Sequence, residues 1–262
     1  MNEKLAKINK HIRDKLITFK DIGHIYTVYA VNKIKGDTGF TSVTTFVHSL
    51  FEKFDADKII SNMMNSSGWE NNKYYGMTRK EIKQIWDNKR DTAAGEGTKL
   101  HYDIECFYND VELEVPNNSL EYQYFLTFHK DFSHLLPYRT EWIIFYEELR
   151  LAGSVDMIFK NEDGSIDIYD WKRVKEISKV SKWNKWCKSD VISHLPDTNY
   201  WHYALQLNIY KAILIKKYGM KVRDLYLVSL HPENKSYNRI LVSDLSSDVQ
   251  LLFNERIKRI KN

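Results

Sequence analysis

A chain of 262 residues is long enough for one large domain or for a core with an added subdomain. With 43% hydrophobic and 28% charged residues it has ordinary globular composition, and a formal net charge of only +4 excludes an extreme basic tail. Two cysteines, Cys106 and Cys187, exclude a four-thiolate zinc site or iron–sulfur cluster, and as free thiols they point to an intracellular reducing compartment. No run of about 18 consecutive apolar residues occurs, so no membrane span is expected. The first residues, with Lys4, Lys7, Lys10 and Arg13 spaced by apolar side chains, read as a short amphipathic helix rather than a secretory signal.

In chain order, residues 17–30 alternate as two short strands around Asp21-Ile22-Gly23-His24. Thr41-Ser42-Val43-Thr44-Thr45 is a hydroxyl-rich helix start before the apolar run at 46–51. Helices are expected at 55–65 and 78–92, the second opened by a capping box of Thr78 and Glu81. A separate helix from Glu96-Gly97-Thr98 to about Tyr108 follows, then one at 119–134. Strands are expected at 139–148, 150–159 and 166–172, a helix at 198–217, strands at 223–230 and 237–243, and a last helix from Asp244 capped by Ser243. Helices, a strand meander, a crossover helix and further strands make a mixed α/β domain with one central sheet and an N-terminal helical region.

The chemistry concentrates on one hairpin. Gly153-Ser154-Val155-Asp156 lies in its first strand and Asp170-Trp171-Lys172 ends its second, with Asn161-Glu162-Asp163-Gly164 as turn chemistry between them. If the turn centres on Asp163, Asp156 and Asp170 face each other, with Cβ atoms about 4.5–5.5 Å apart, where like charges are destabilising. A divalent cation between them explains the pair, because hard cations take carboxylate oxygens. A solvated hairpin face with Lys172 as surface partner is the competing reading, and a one-residue register slip would remove the pairing. Elsewhere, His101 and Glu105 share a helix face at i and i+4, as do Gln206 and Tyr210. Each pair also reads as a satisfied structural pair. Gly95 and Gly97 before His101 would permit close backbone approach. Residues 172–188 hold seven Lys or Arg, one Glu, and Trp183 and Trp186. That mixture suits a phosphate backbone with stacked bases, or equally a solvated basic loop.

Taken in order, Gly97-x-x-x-His101-x-x-x-Glu105, Gly153-x-x-Asp156, Asp170-x-Lys172 and Gln206-x-x-x-Tyr210 resemble the RecB-like branch of the PD-(D/E)XK nuclease superfamily. The chain looks most like the single-domain members of mitochondrial genome maintenance exonuclease type, which also carry a segment like Ser42-Val43-Thr44-Thr45. The resemblance covers residues 40–215 and implies a restriction-endonuclease-like core. It implies one nuclease domain over 1–262, a helical subregion at 40–92 forming an arch or substrate channel, and a catalytic core at 93–243. His101, Asp156, Asp170 and the Trp171 backbone carbonyl would be metal ligands for one or two Mg²⁺ or Mn²⁺ ions. Lys172 would position or deprotonate the attacking water, supported by Gln206 and Tyr210. Either Glu141 or Glu148 would match a further acidic position, and Glu105 is a third acidic candidate. Asp170 stands where the family usually has Glu, and the four-cysteine cluster of some relatives is absent, so no iron–sulfur cluster is expected.

The expected activity is metal-dependent DNA hydrolysis leaving 5′-phosphates, by an exonuclease acting on single strands or free ends in replication, recombination or repair. Ser42, Thr44, Thr45, Lys175, Lys179, Lys182 and Trp183 are the candidate substrate contacts, and Trp69, Tyr74, Tyr75 and Trp86 would stack bases if they are not core. Its partner is DNA, with no membrane. The alternatives are a structure-selective or RNA-directed endonuclease on the same fold, a non-catalytic nucleic-acid-binding module, and an interaction scaffold with a structural hairpin.

Overall fold

The computed structural model describes residues 4–29, 35–181 and 183–261. The elements are α1 (Lys4–Ile8), β1 (Ile17–Lys20), β2 (Ile25–Val28), β3 (Thr41–Ser42), α2 (Val43–Ser49), α3 (Ala56–Met64), α4 (Arg79–Tyr108) and α5 (Leu120–Asp131). They continue with β4 (Leu136–Tyr146), β5 (Leu151–Lys160), β6 (Ile166–Lys172), α6 (Asn199–Tyr218), β7 (Val222–Ser229), β8 (Asn238–Leu241) and α7 (Ser246–Lys261). The expected mixed α/β architecture, a central mixed sheet flanked by helices with helices leading the chain, is the one observed.

The chain divides into two compact units, Lys53–Leu100 and the remainder. The smaller one is helical. Ile60, Tyr74 and Ile82 form its core, with Trp69 and Trp86 packed against them, and Trp86 Nε1 donates to the Tyr74 hydroxyl at 2.9 Å. Of the four aromatics offered for stacking, three therefore pack inward and Tyr75 is exposed. The Thr78–Glu81 capping box forms: Glu81 Oε2 accepts from Thr78 N at 2.7 Å, and Glu81 N donates back to Thr78 Oγ1 at 3.3 Å.

The helix it opens does not stop near residue 92 but runs unbroken to Tyr108. Gly95 and Gly97 cost a helix only about 1 kcal/mol each relative to alanine, and no proline interrupts the run. No neighbour lies within 4 Å of where a Cβ would sit on either, so they make no close backbone approach.

In the larger unit, β5 is the central strand of a six-stranded sheet. It pairs antiparallel with β4 and β6 and, at Leu151 and Ala152, parallel with β3; β6 continues parallel to β7, which pairs antiparallel with β8. Aromatic residues of β5 and β6 (Phe159, Tyr169 and Trp171) meet Phe125 and Phe128 of α5 and Tyr108 of α4. The apolar side chains of α6, the crossover helix between β6 and β7, join Ile166, Ile168, Leu225 and Leu227 in the main core. Polar residues of β6 that alternate with its aromatics thus turn toward the α6 side, following the two-residue period of a strand. Ser42 caps α2 as the hydroxyl-rich start predicts, and Ser119 caps α5, its hydroxyl accepting from Tyr122 N. Ser243 does not cap α7: its backbone N–H and hydroxyl bond the Tyr200 hydroxyl, and Asp244 Oδ1 accepts from Ser246 N at 3.0 Å instead.

Candidate functional site

The hairpin closes in the expected register. Met157 pairs with Tyr169, Ile158 with Ile168, Phe159 with Asp167 and Lys160 with Ile166. The turn is held by Gly164 at φ 78, a left-handed conformation that glycine adopts without steric cost, and by Asp163 Oδ1 accepting from Ser165 N at 3.0 Å. Carried one step further, the register sets Asp156 opposite Asp170. Asp156 Oδ2 accepts from Trp171 N at 3.0 Å, which ties the two strand ends together.

On the other edge of β5, the pairs Thr140–Met157 and Trp142–Val155 flank one missing step, where Glu141 stands opposite Asp156. Glu141 has φ 43, an unfavourable left-handed conformation for a residue with a Cβ. Three carboxylates therefore lie at one level across three adjacent strands, and the ladder is distorted there. Regular pairing is sacrificed where the acidic side chains converge.

His101 reaches this level from α4. Its Nδ1 is 3.5 Å from both Glu141 Oε1 and Asp156 Oδ2, and its Nε2 is 2.9 Å from the Trp171 carbonyl oxygen. Among the described residues, His101, Glu141 and Asp156 are the one set of three metal-competent side chains whose ligand atoms all lie within 4.8 Å of one another. Glu141 is the acidic residue brought to the cluster. Glu148 sits in a turn ion-paired to Lys217 at 2.5 Å, and Glu105 stands outside the trio, its backbone carbonyl bonded by Asn109. Asp170 also stands outside the trio: Lys172 Nζ lies 2.6 Å from its Oδ2, while its buried Oδ1 has no hydrogen-bond donor. The Trp171 carbonyl is engaged by His101.

Charge at this level is strongly coupled. Burial and the Asp170 carboxylate push Asp156 up to about 7. Burial works against the His101 imidazolium, but Asp156 and Glu141 outweigh it and raise His101 to about 9. Burial also opposes ionisation of Glu141, yet its bond to His101 leaves it below the usual carboxylate value. Lys172 is held well above its ordinary value: desolvation is outweighed by Asp170 and Asp156. These groups form an acidic nest that draws positive charge, and without a cation the imidazolium and ammonium supply it.

Two neighbours escaped the sequence reading. Ser154 Oγ donates to Glu141 Oε2 at 2.8 Å, and the Lys172 ammonium lies 4.9 Å from the centre of the Tyr203 ring. Ser154, two positions before Asp156, carried a usable signal in the strand period. Tyr203 carried one in its one-turn offset from Gln206.

Gln206 Nε2 donates to the Tyr210 hydroxyl at 3.1 Å and to Thr44 Oγ1 at 3.3 Å. Gly153 explains its own place in the pattern: a Cβ there would stand 2.7 Å from the Tyr210 ring. Ser42 and Thr45 are occupied with each other, Oγ to Oγ1 at 2.8 Å, as part of the α2 cap. In the basic segment, Lys175 pairs with Glu233 at 2.5 Å, Lys179 lies over the Tyr200 ring at 4.5 Å, and Trp183 is 83% exposed, a large apolar surface open to a ligand. Lys182 lies outside the described residues.

No protein-family model matches this chain, and no curated protein matches it. Among solved structures it is similar to the crystal structure of SSO0001, at 14% identity and a TM-score of 0.34, over 89% of this chain and 80% of that one. It is also similar to a protein described as "Putative exonuclease" from Eubacterium rectale, at 12% identity and a TM-score of 0.36, over 86% of this chain and 82% of that one. At such scores the geometry of the site, not the likeness, carries the functional reading. Both cysteines are buried and neither is in a disulfide, and no described helix is long and apolar enough to cross a membrane.

Proposed function

We propose that this protein is a metal-dependent deoxyribonuclease of the PD-(D/E)XK, RecB-like type, an exonuclease acting on single strands or free ends and leaving 5′-phosphates. The observation that carries this reading is the convergence of His101, Glu141 and Asp156 beside the Asp170–Lys172 pair at one interrupted level of the sheet. An imidazole and two carboxylates suit a small divalent cation such as Mg²⁺ or Mn²⁺, and the orphaned buried Asp170 Oδ1 is a further oxygen without a donor. When bound, such a cation supplies Lewis-acid stabilisation of the phosphate and lowers the pKa of water.

The chain's own groups have separate tasks. His101 is oriented by its Nε2–H donating to the Trp171 carbonyl, which aims Nδ1 at the carboxylates and fixes the ligating tautomer once the ring is neutral. Ser154 fixes the Glu141 carboxylate in the same way. The raised affinity of Lys172 for its proton keeps it an ammonium, so it orients water and offsets charge on the phosphorane-like transition state rather than acting as a base. Gln206 and Tyr210 hold Thr44 where its hydroxyl can meet a phosphate of the substrate strand. Trp183, with Lys175 and Lys179, offers a stacking and phosphate surface, and exposed Tyr75 does so in the helical unit.

The test is degradation of 5′- and 3′-labelled single- and double-stranded DNA, with an RNA control, in Mg²⁺, Mn²⁺ or EDTA. Cleavage that requires metal and disappears in Lys172→Ala is the expected result. RNA cleaved in preference to DNA would move the reading to the RNA-directed alternative. No cleavage of any substrate by the folded wild type would overturn it.

A further inference from the structure

The N-terminal segment is pinned along β4, the strand that carries Glu141. Asn109 Oδ1 accepts from Leu5 N at 3.0 Å, Asn9 Nδ2 donates to the Tyr138 carbonyl at 2.8 Å, and Arg139 Nη1 donates to the Asn9 carbonyl at 2.9 Å. Further on, Asp14 accepts from Arg139 Nη1 at 2.9 Å and from Trp142 Nε1 at 2.8 Å. These bonds make the segment a fixed wall, not a loose tail.

Between that wall and β4 lies a cavity of about 590 Å³ whose lining reaches Glu141 of the carboxylate cluster. Lys7, Lys10 and Lys15 line it and are exposed. Lys10 and Lys15 form no ion pair among the described residues. Asp14, the acidic residue of the wall, is already neutralised by Arg139. The exposed Ile12 adds apolar surface to the same lining. Glu105 also lines the hollow, but the wall sets exposed positive charge beside the acidic cluster, and Lys10 and Lys15 on that preformed wall can neutralise a phosphate without ordering the backbone first.

We infer that this cavity is a strand-tracking subsite. Single-stranded nucleic acid with its reacting phosphate at the His101–Glu141–Asp156 cluster continues past Glu141 along the N-terminal wall, its next phosphates on Lys10 and Lys15. The inference rests on the nuclease reading of that cluster. At about 590 Å³ the hollow falls in the size range of ligand pockets, roughly 300–1,000 Å³, room for nucleotide units of one strand.

The test is fluorescence anisotropy of a labelled single-stranded oligonucleotide in EDTA, titrated with salt. Wild type is compared with Lys10→Gln/Lys15→Gln and with the control pair Lys130→Gln/Lys258→Gln on α5 and α7; all four lysines are exposed, so folding is retained and is checked by melting. The slope of log affinity against log salt is expected to fall by about 0.7 for each wall lysine removed, with the control pair unchanged. Wild-type affinity and slope in the wall variant, with the nuclease active, would overturn the subsite and leave the nuclease reading standing. An equal loss on blunt duplex would overturn the single-strand assignment. Wild type that neither binds the oligonucleotide in EDTA nor cuts it in Mg²⁺ or Mn²⁺ would overturn the nuclease reading itself.

Discussion

Asp167 and Asp170 lie three residues apart on β6, and both are 1% exposed, yet they are built into opposite situations. Asp167 accepts from Arg223 Nε at 3.1 Å and Nη2 at 2.6 Å, and from Asp224 N at 3.2 Å. Its charge and its lone pairs are met within the fold. Asp170 has an ammonium beside Oδ2, no donor for Oδ1, and a second carboxylate opposite it in register. Burying a carboxylate without full satisfaction is costly, so the first arrangement is what stability selects and the second is what stability alone would remove. Burial by itself does not mark a site; unsatisfied burial among like charges does.

The largest expected effects separate the two aspartates by activity. Lys172→Ala and Asp170→Asn should lower metal-dependent cleavage by about 10³-fold or more, as loss of a charge-stabilising group does. Asp167→Asn should leave cleavage per folded molecule near wild type in the same labelled-DNA assay. Equal losses at both positions would erase the distinction.

Stability should reverse the order. Asp167→Asn is expected to cost about 1–3 kcal/mol in denaturant unfolding, because hydrogen bonds to a charged group are lost. Asp156→Asn in EDTA at pH 8 should not destabilise and should raise the melting temperature, since ionised Asp156 is opposed by burial and by Asp170. The same variant should lose stabilisation by Mn²⁺.

Gly153→Ala acts from β5, through the Tyr210 ring. Its methyl would press on the Tyr210 ring, costing about 1–3 kcal/mol and displacing the Gln206–Thr44 chain. Cleavage should fall with it, read as kcat against melting temperature in one preparation.

The smallest effect is in pH. His101 sits at about 9 in the fold against an ordinary 6.5, and Asp156 at about 7 against 3.8. Both are raised, so both stabilise the metal-free fold when protonated. The Asp156 contribution is lost as pH climbs through 7 and the His101 contribution as it climbs through 9. A divalent cation needs both groups deprotonated, so the Mn²⁺-induced rise in melting temperature should grow from pH 6 to pH 9. A flat response would break the assignment of these two as ligands.

Much of this was legible in the residues because it depends on local chemistry. The Asn161–Gly164 turn and two-residue alternation were enough to predict the register that opposes Asp156 and Asp170. Ser42 and Thr78 announced their helix starts because a cap bonds backbone only two or three residues away. Where local signals were weak or met competition, the reading slipped: the glycines near residue 96 do not break α4, and Ser243 is bonded to Tyr200 rather than capping α7.

What only the tertiary structure decided are the contacts between segments far apart in the chain. Glu141 rather than Glu148 joins His101, because the left-handed turn of β4 at Glu141 sets that side chain beside Asp156, while Glu148 meets Lys217. Asp170 is held by Lys172 and stands aside from the trio, Gly153 is required by a ring on α6, and the N-terminal lysines line a hollow whose lining includes Glu141. Periodicity assigns a side chain to a face of its own element; which distant group it meets there depends on how strands and helices pack, and that is a property of the assembled chain.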